Sequence, residues 1–380
     1  MASYGALAKS FSCLTGNMIL EKEDIKIEDL SEFDSHELVV KLNEPEVGLH
    51  GFIAIHRIDT QYPALGATRL WEYLSETEAL RDALRLSKLM AYKSALAGLP
   101  YTGAKGVLMA NPKALGNRKQ LFKTYARKVN ELQGKFVTGT DVGVDNHDLK
   151  IMGRESHYII GHGVDSAYYT AIGVSLGIQV ALEEVFGSAD TSKRSFAIQG
   201  VGKTGYALLK SLYKKSFKIY ISDINPKRTK YVKFFYPAVE VVDPTVIHKQ
   251  DVDVFCPCAL SRSLNVVTVP ELRCSIVAGS ANNQLESASI GEMLRGLGIL
   301  YAPDAVINAG GLISVVDQFE HNRRHSEKRI IQKLEGIKER LALIFEKSKK
   351  EQVATNIIAT ELAKQRAHLL SKQYEHPISV

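Results

Sequence analysis

Residues 195–205 read Ser195-Phe-Ala-Ile-Gln-Gly200-Val-Gly202-Lys-Thr-Gly205. A short apolar run, Phe196 to Gln199, passes directly into three glycines in the pattern G-x-G-x-x-G, and a helix-length segment follows. Glycines so placed let the backbone approach a pyrophosphate, whose charge then rests on the amides of the helix N-terminus. Lys203 and Thr204 fill the positions between the last two glycines. The pattern alone is weak, because a glycine turn also serves tight helix–strand packing. Its context makes it strong. Asp223 closes the next apolar strand, Lys218 to Ser222, where an acidic residue accepts hydrogen bonds from a ribose diol and repels a 2′-phosphate. That favours NAD over NADP, while Lys227 and Arg228 close by leave NADP open.

The alternation continues beyond this stretch. Val252 to Cys256, Ser275 to Ala278 and Ile299 to Tyr301 are short apolar strands separated by helix-length segments. Strands alternating with helices predict a doubly wound parallel sheet. Gly279-Ser-Ala-Asn-Asn283 and Ala302-Pro-Asp-Ala-Val-Ile-Asn308-Ala-Gly-Gly311 each follow such a strand. Small residues and amides there suit a crevice at the carboxyl ends of the strands, and they are also ordinary turn residues. From Asn308 a long helical stretch begins, highly charged after Ser326, which is expected to pack back across both domains. On the other side, Ala171 to Phe186 reads as a helix closed by Gly187. Periodicity is lost over Gly161 to Ser166, and the hinge falls there.

The first third is also α/β. Gly51 to His56 is a strand candidate, and Thr60 to Thr68 reads as a Gly- and Pro-bearing loop ahead of Arg69. Ser75 with Glu78 forms a capping box, and Leu80, Ala83, Leu84, Leu86 and Met90 continue at helical spacing. Gly98 and Pro100 stop that helix. Lys93 sits late on it, on a mostly apolar face. Lys105 follows a small-residue turn, Thr102-Gly103-Ala104, and precedes an apolar run, Gly106 to Ala110, that reads as a strand. Lysines in such places commonly snorkel to solvent. One held in an apolar turn near a second cation gives up its proton more easily and suits a general base. A further helix spans Lys119 to Gln133, and Lys135 to Thr138 leads into a second small-residue turn, Gly139-Thr-Asp141-Val-Gly143. In isolation Asp141 is most simply a solvated or capping carboxylate.

Composition narrows the classes. A chain of 380 residues can hold two domains with sizeable cores. With 45% hydrophobic and 24% charged residues it has an ordinary soluble balance. The net charge of +6 is mild and spread out, apart from short clusters such as Arg323-Arg324 and Lys347-Ser-Lys-Lys350, so nucleic-acid binding has little support. Cys13, Cys256, Cys258 and Cys274 match no zinc spacing and no disulfide framework, and Cys256 and Cys258 read as buried thiols. No metal site is expected. No apolar run reaches the length of a membrane span, and the N-terminus is too broken for a secretory signal, with a transit peptide weakly supported. The default location is cytoplasmic.

Six segments carry a resemblance. They are Pro63-Ala-Leu-Gly-Ala-Thr-Arg69, Met90-Ala-Tyr-Lys-Ser-Ala-Leu-Ala-Gly98, Gly103-Ala-Lys-Gly106, Thr138-Gly-Thr-Asp-Val-Gly143, Ala278-Gly-Ser-Ala-Asn-Asn-Gln-Leu285 and Tyr301-Ala-Pro-Asp-Ala-Val-Ile-Asn-Ala-Gly-Gly311. In this order they resemble the glutamate/leucine/phenylalanine/valine dehydrogenase family, closest to its leucine and phenylalanine branch, over roughly residues 48 to 365. The resemblance implies NAD-dependent oxidative deamination of an L-amino acid to its 2-oxo acid and ammonia. It implies a substrate-binding, catalytic and oligomerisation domain over 1–165, an NAD-binding Rossmann domain over 166–330, and a helical segment, 331–380, returning to the first domain. Closure of the domains would exclude water. A homo-oligomer is implied too.

By the same resemblance, Lys93 grips the substrate carboxylate, Lys105 is the catalytic lysine and Asp141 shuttles protons. Gly66 and Ala67 line the substrate end, and Asn308 approaches the amino group. Thr170 orients the nicotinamide amide, and Asn282 and Ala259 join the fingerprint as cofactor contacts. Gly139, Leu312 and Val315 belong to the side-chain pocket. Glycine at 139 with leucine at 312 leans toward the phenylalanine branch, so branched-chain aliphatic and aromatic substrates both stay open. Glutamate is not expected, because the apolar region around Leu65 offers no lysine to a second carboxylate. Three departures stand out: Thr102 where glycine is usual, Tyr168 where proline is usual, and Lys203-Thr204 where Asn-Val is commoner. A catalytically silent homologue that kept the fold is the competing class.

Overall fold

Two six-stranded sheets, each inside its own unit, organise the chain. The units are Met1–Gly163 with Gln365–Val380, and Val164–Lys364. The computed structural model describes residues 12–14 and 26–372, apart from 113–115, 260 and 323. Most of the N-terminal stretch weighed as a transit peptide, and Arg323 of the basic pair, lie outside the described residues. No helix among the described residues is long and apolar enough to cross a membrane.

In the first unit the strands are β1 (Ser12–Leu14), β2 (Leu38–Glu44), β3 (Leu49–Ile55), β4 (Ala64–Trp71), β5 (Thr102–Met109) and β6 (Phe136–Thr140). Helix α1 (Glu76–Leu96) joins β4 to β5, α2 (Arg118–Glu131) joins β5 to β6, and α3 (Asn146–Met152) follows. The sheet order is β1-β2-β3-β5-β4-β6. Strands β4, β5 and β6 run parallel, and the β3–β5 pair is antiparallel. Successive side chains of a strand point to opposite faces. Val39, Phe52, Ala54 and Val107 accordingly pack with Ala79, Leu80, Ala83 and Leu84 of α1. Their neighbours Val40, Ile53, Ile55 and Leu108 pack on the other face with Phe122, Tyr125 and Val129 of α2.

The capping box at Ser75 is present in a shifted form. The Ser75 hydroxyl accepts from the Glu78 amide, but the Glu78 carboxylate accepts from the amide of Leu74. Gly98, at φ +76°, ends the helix as expected. The strands differ from the sequence expectation in three places. Residues 64–71 form β4, not the end of a loop, and Thr102 to Ala104 belong to β5, so Lys105 lies mid-strand and not after a turn. Gly139 likewise lies within β6. Two of the three share a cause: β4 and β5 are central and buried, and their small residues admit close neighbours, whereas β6 is an edge strand on which Gly139 is buried. A Cβ at Gly103 would lie 2.2 Å from the Ser87 carbonyl and the Ala91 amide of α1, and one at Gly66 would lie 2.0 Å from the Ala104 carbonyl.

The second unit opens with α4 (Ser166–Phe186), capped by Asp165 and closed by Gly187 in the left-handed region. Then follow β7 (Ser195–Gln199), α5 (Lys203–Leu212), β8 (Lys218–Ser222), α6 (Pro226–Phe235), β9 (Glu240–Val241), β10 (Asp251–Pro257), β11 (Arg273–Val277), α7 (Ala288–Gly296) and β12 (Leu300–Tyr301). The order β12-β11-β10-β7-β8-β9 is parallel throughout, the doubly wound sheet expected from the alternation. The chain starts at β7, winds outward through β8 and β9, and returns to β10 on the other side. The winding direction therefore reverses between β7 and β10, where such sheets open a crevice.

The stretch after Asn308 is not one helix. It comprises α9 (Gly310–Glu320), α10 (Glu327–Glu351) and α11 (Thr355–Lys372), after a short α8 (Asp304–Ile307). Asn322 at φ +51° breaks the first of these. Fully buried Asp317 then accepts from Arg329 through both oxygens and from the Ser326 amide, pinning α10 to α9.

Candidate active site

Alternation along β5 decides where Lys105 points. Val107 packs under α1, so Lys105, two residues earlier, projects to the same face. The residue is 4% exposed. Its Nζ donates to Asp141 Oδ2 at 2.5 Å. Asp141 is the first residue after β6, the strand beyond β4 in the sheet. The same Oδ2 accepts from Arg69 Nε at 3.0 Å. Arg69 pairs in register with Val107 across β4 and β5, which sets it on the α1 face as well.

Burial pushes the Lys105 ammonium below its ordinary range; Asp141 opposes that change and Arg69 adds to it. Burial would raise the Asp141 carboxyl, but the charges of Lys105 and Arg69 overcome it and hold it at about 2. The pair is thus an ionised carboxylate beside a lysine primed to release its proton. The sequence expectation of a neighbouring cation is met by Arg69.

The other expected residues of the first unit lie on the same sheet or on α1. Gly66 and Ala67 are half-buried on β4, and Ala67 pairs in register with Gly139 of β6. Gly139 is buried, yet a Cβ there would meet only the Ile160 carbonyl, at 3.3 Å. Lys93 is half-buried in the last turn of α1. Thr102 fits its strand without strain, because its hydroxyl donates to the Arg57 carbonyl at 2.8 Å.

In the second unit the expected cofactor residues gather at the carboxyl ends of the strands. Gly200, at φ +92°, leaves β7 so closely against Ala259 that a Cβ there would lie 2.6 Å from the alanine methyl. A Cβ on Gly205 would lie 1.9 Å from the Gly200 carbonyl, so this glycine lets α5 seat on the turn. Gly202 is the N-cap of α5 and supplies no side-chain cap; a Cβ there would meet only Arg228 Nη1, at 3.9 Å. The first-turn amides at Lys203 and Thr204 are left without a side-chain cap, and with the space beside Gly202 this fits a pyrophosphate. Asp223 follows β8 and anchors the loop: Oδ2 accepts from the Val201 amide at 3.0 Å and from Arg228 Nη1 at 3.4 Å.

Asn308 is buried and donates from Nδ2 to Asn282 Oδ1 at 3.0 Å, while its own Oδ1 has no hydrogen-bond partner in the protein. A buried amide oxygen left open in this way fits a ligand N–H. Thr170 lies in the first turns of α4, its hydroxyl donating to the Ser166 carbonyl, 2.8 Å from where a Gly311 Cβ would sit. Leu312 and Val315 are half-buried on α9, one turn apart. Tyr168, the departure near the hinge, is exposed and donates to Glu327. Cys256 is buried as expected, and Cys258 is half-buried beside the Gly205 turn.

Sequence reasoning missed Arg69 and Asp82 as parts of this arrangement. Arg69 closes one of the six quoted segments, which was the available signal. Asp82, on the solvent-side pattern of α1, gave none.

The fold pairs a dinucleotide-binding type of sheet with one that buries a lysine–carboxylate pair, and comparison with known proteins gives its family. Residues 36–158 match the model of the Glu/Leu/Phe/Val dehydrogenase dimerisation domain, and residues 220–369 match that of the Glutamate/Leucine/Phenylalanine/Valine dehydrogenase domain. An L-tryptophan dehydrogenase from Nostoc punctiforme is 40% identical over 87% of this chain and 93% of its own length. Its crystal structure superposes with a TM-score of 0.79, covering 89% of this chain and 97% of that one. A leucine dehydrogenase from Thermoactinomyces intermedius is 37% identical over 92% and 95% of the two chains. A phenylalanine dehydrogenase from Bacillus thermotolerans is 36% identical over 94% and 95%. The chain belongs to the Glu/Leu/Phe/Val dehydrogenase family of amino acid dehydrogenases, and its cofactor is NAD.

The ion pair has a measurable pH signature. Asp141 sits at about 2 in the folded chain against an ordinary 3.8. Its contribution is therefore complete above pH 4 and lost as pH falls from about 4 to about 2. The shift corresponds to on the order of 2 kcal/mol. Denaturation curves of wild type and Asp141→Asn should differ near neutral pH and converge across that window; a gap that stays constant with pH would reject the assignment.

Proposed function

We propose that this chain catalyses the reversible, NAD-dependent oxidative deamination of an apolar L-amino acid, of the leucine, valine and isoleucine class, to the 2-oxo acid and ammonia. The observation that carries the reading is the buried Lys105–Asp141 pair on one sheet. When bound, NAD accepts the hydride leaving the α-carbon. In this reading Lys93 holds the substrate carboxylate, and Asn308 offers its open oxygen to the amino group. Lys105, its ammonium disfavoured by burial, takes a proton from the water that adds to the substrate iminium carbon. Asp141, ionised at rest, is protonated only in passing as it relays that proton from Lys105 to the nitrogen of the carbinolamine. Lys105, again neutral, takes the hydroxyl proton as the carbon–nitrogen bond breaks, which leaves the carbonyl and ammonia. Thr170, Ala259, Asn282 and the fingerprint residues serve the cofactor.

Incubating the chain with NAD and a panel of L-amino acids, and following NADH absorbance, tests this reading. Turnover of leucine, valine or isoleucine is expected. Turnover of no amino acid would favour the silent homologue. Lys105→Ala should abolish turnover while NAD still binds; an active variant would remove Lys105 from its role.

One observation favours aromatic substrates as a second reading. A methyl at Gly139 would meet only one protein atom, so the glycine leaves room where alanine would fill it. Gly139→Ala should lower kcat/KM for phenylalanine or tryptophan about tenfold more than for leucine, the discrimination of about one methylene. An unchanged ratio would remove Gly139 from the pocket.

The reading extends to a homo-oligomer in the cytoplasm. The match of residues 36–158 to a dimerisation domain supports the first, and the unpaired thiols at Cys256, Cys258 and Cys274 support the second. Light scattering that gives the mass of one subunit would discard the oligomer.

A further inference from the structure

Arg69 spans two carboxylates. Its Nε donates to Asp141 Oδ2 at 3.0 Å and its Nη1 donates to Asp82 Oδ2 at 2.9 Å. Asp82, on α1, is itself held twice more, by the Tyr73 hydroxyl at 2.6 Å and by Arg85 Nη2 at 2.6 Å. The contacts form one line: Tyr73 and Arg85 to Asp82, Asp82 to Arg69, Arg69 to Asp141, Asp141 to Lys105. Its members come from β4, the loop after it, α1, β5 and the residue following β6. Arg69 and Asp82 are largely withdrawn from water, with side chains 22% and 14% exposed.

A network like this is hard to explain by stability. Desolvating several charges is costly, and apolar side chains of similar volume often stabilise a core at least as well. Arginine is also the one side chain suited to the span, because its planar fork offers separate donors to two acceptors. Lysine has a single nitrogen. We propose that Arg69, braced by Asp82, is the positioning residue of this site: it fixes the Asp141 carboxylate against Lys105 and supplies the positive charge that favours the neutral amine. The proposal deepens the dehydrogenase reading above and rests on Lys105 acting as its base.

The charged groups acting on Lys105 come from β4, α1 and the residue after β6, while β3 sets the apolar Ala54 beside it. Arg69 on β4 lowers its proton affinity, whereas Asp141 after β6 and Asp82 on α1 raise it. The signs give a test that a structural role would not reproduce. Removing the Arg69 charge should raise the titration point of Lys105, and removing the Asp82 charge should lower it, each by about one pH unit for a charge acting at close range.

The full-length chain, labelled with ¹³C-lysine, would be titrated by NMR as wild type, Arg69→Gln, Arg69→Lys and Asp82→Asn, with the Lys105 signal assigned by its loss in Lys105→Ala. Opposite shifts in the Gln and Asn variants, with Arg69→Lys near wild type, are expected. In the pH profile of kcat, the acid limb should move the same way. Arg69→Gln should lose about 10- to 100-fold in kcat, as expected for a misplaced catalytic group, with KM for NAD unchanged. Arg69→Lys should restore the limb but not the rate. Thermal melts identify any variant that does not fold, and the remaining variants carry the comparison. One titration point in all folded variants would overturn the proposal. Failure of the wild type to oxidise any amino acid would instead remove the dehydrogenase reading, leaving the NMR shifts to decide whether Arg69 tunes Lys105.

Discussion

A lysine ammonium inside a sheet is tolerable only with a counter-charge in contact, and the first unit is built around that requirement. Lys105 lies on a central strand with neighbours on both sides and a helix above it. An unpaired charge there would cost several kcal/mol. Asp141 relieves it from the end of the next parallel strand but one, so the register of β5, β4 and β6 must be right for the pair to form. The buried Thr68–Tyr125 and Thr68–Thr138 hydrogen bonds help hold that register from the opposite face. Fold and chemistry are therefore one constraint in this unit: what keeps the strands aligned also keeps the lysine poised.

The second unit solves the opposite problem. It must receive a negatively charged ligand, and it does so with backbone where the first uses side chains. Gly200 and Gly205 bring turn and helix into contact, and Gly202 leaves the amides open. Asp223 ties the turn to the end of β8 through the Val201 amide. The carboxylate is thus structural before any ligand arrives. Its other oxygen accepts from the Asn225 amide at 2.8 Å, so the carboxylate braces the loop on both sides.

Much of this was legible in the sequence because it rests on local rules. The glycine pattern, the alternation from Ser195 onward and the acidic residue after β8 all follow from spacing along one chain segment. So do the start of α1 at Ser75 and its stop at Gly98. The misreadings share a cause. Small residues such as Gly66 and Gly103 signal turns locally, but in a buried central strand they signal a close neighbour, and that neighbour is remote in sequence. The ion network was hidden for the same reason. Arg69 and Asp82 are separated by 13 residues along the chain and joined only when α1 folds back over β4. The break after Glu320 was invisible because a left-handed asparagine and a buried aspartate, not a proline, impose it.

Gly103 and Gly139 stand on two strands of one sheet, yet they set opposite mechanical conditions. At Gly103 the backbones of strand and helix touch, with no room for even one added carbon. Helix α1, which bears Lys93 and Asp82, is thereby welded to the strand that bears Lys105. Those groups move together or not at all. At Gly139 an added carbon would meet one atom alone, the Ile160 carbonyl at 3.3 Å, so a small shift of that carbonyl would admit it. A substitution at β6 consequently asks one carbonyl to yield, whereas one at Gly103 would force strand and helix apart. Under the reading proposed above, side-chain preference is adjustable at β6 without rebuilding the block that carries Lys105 and Asp82.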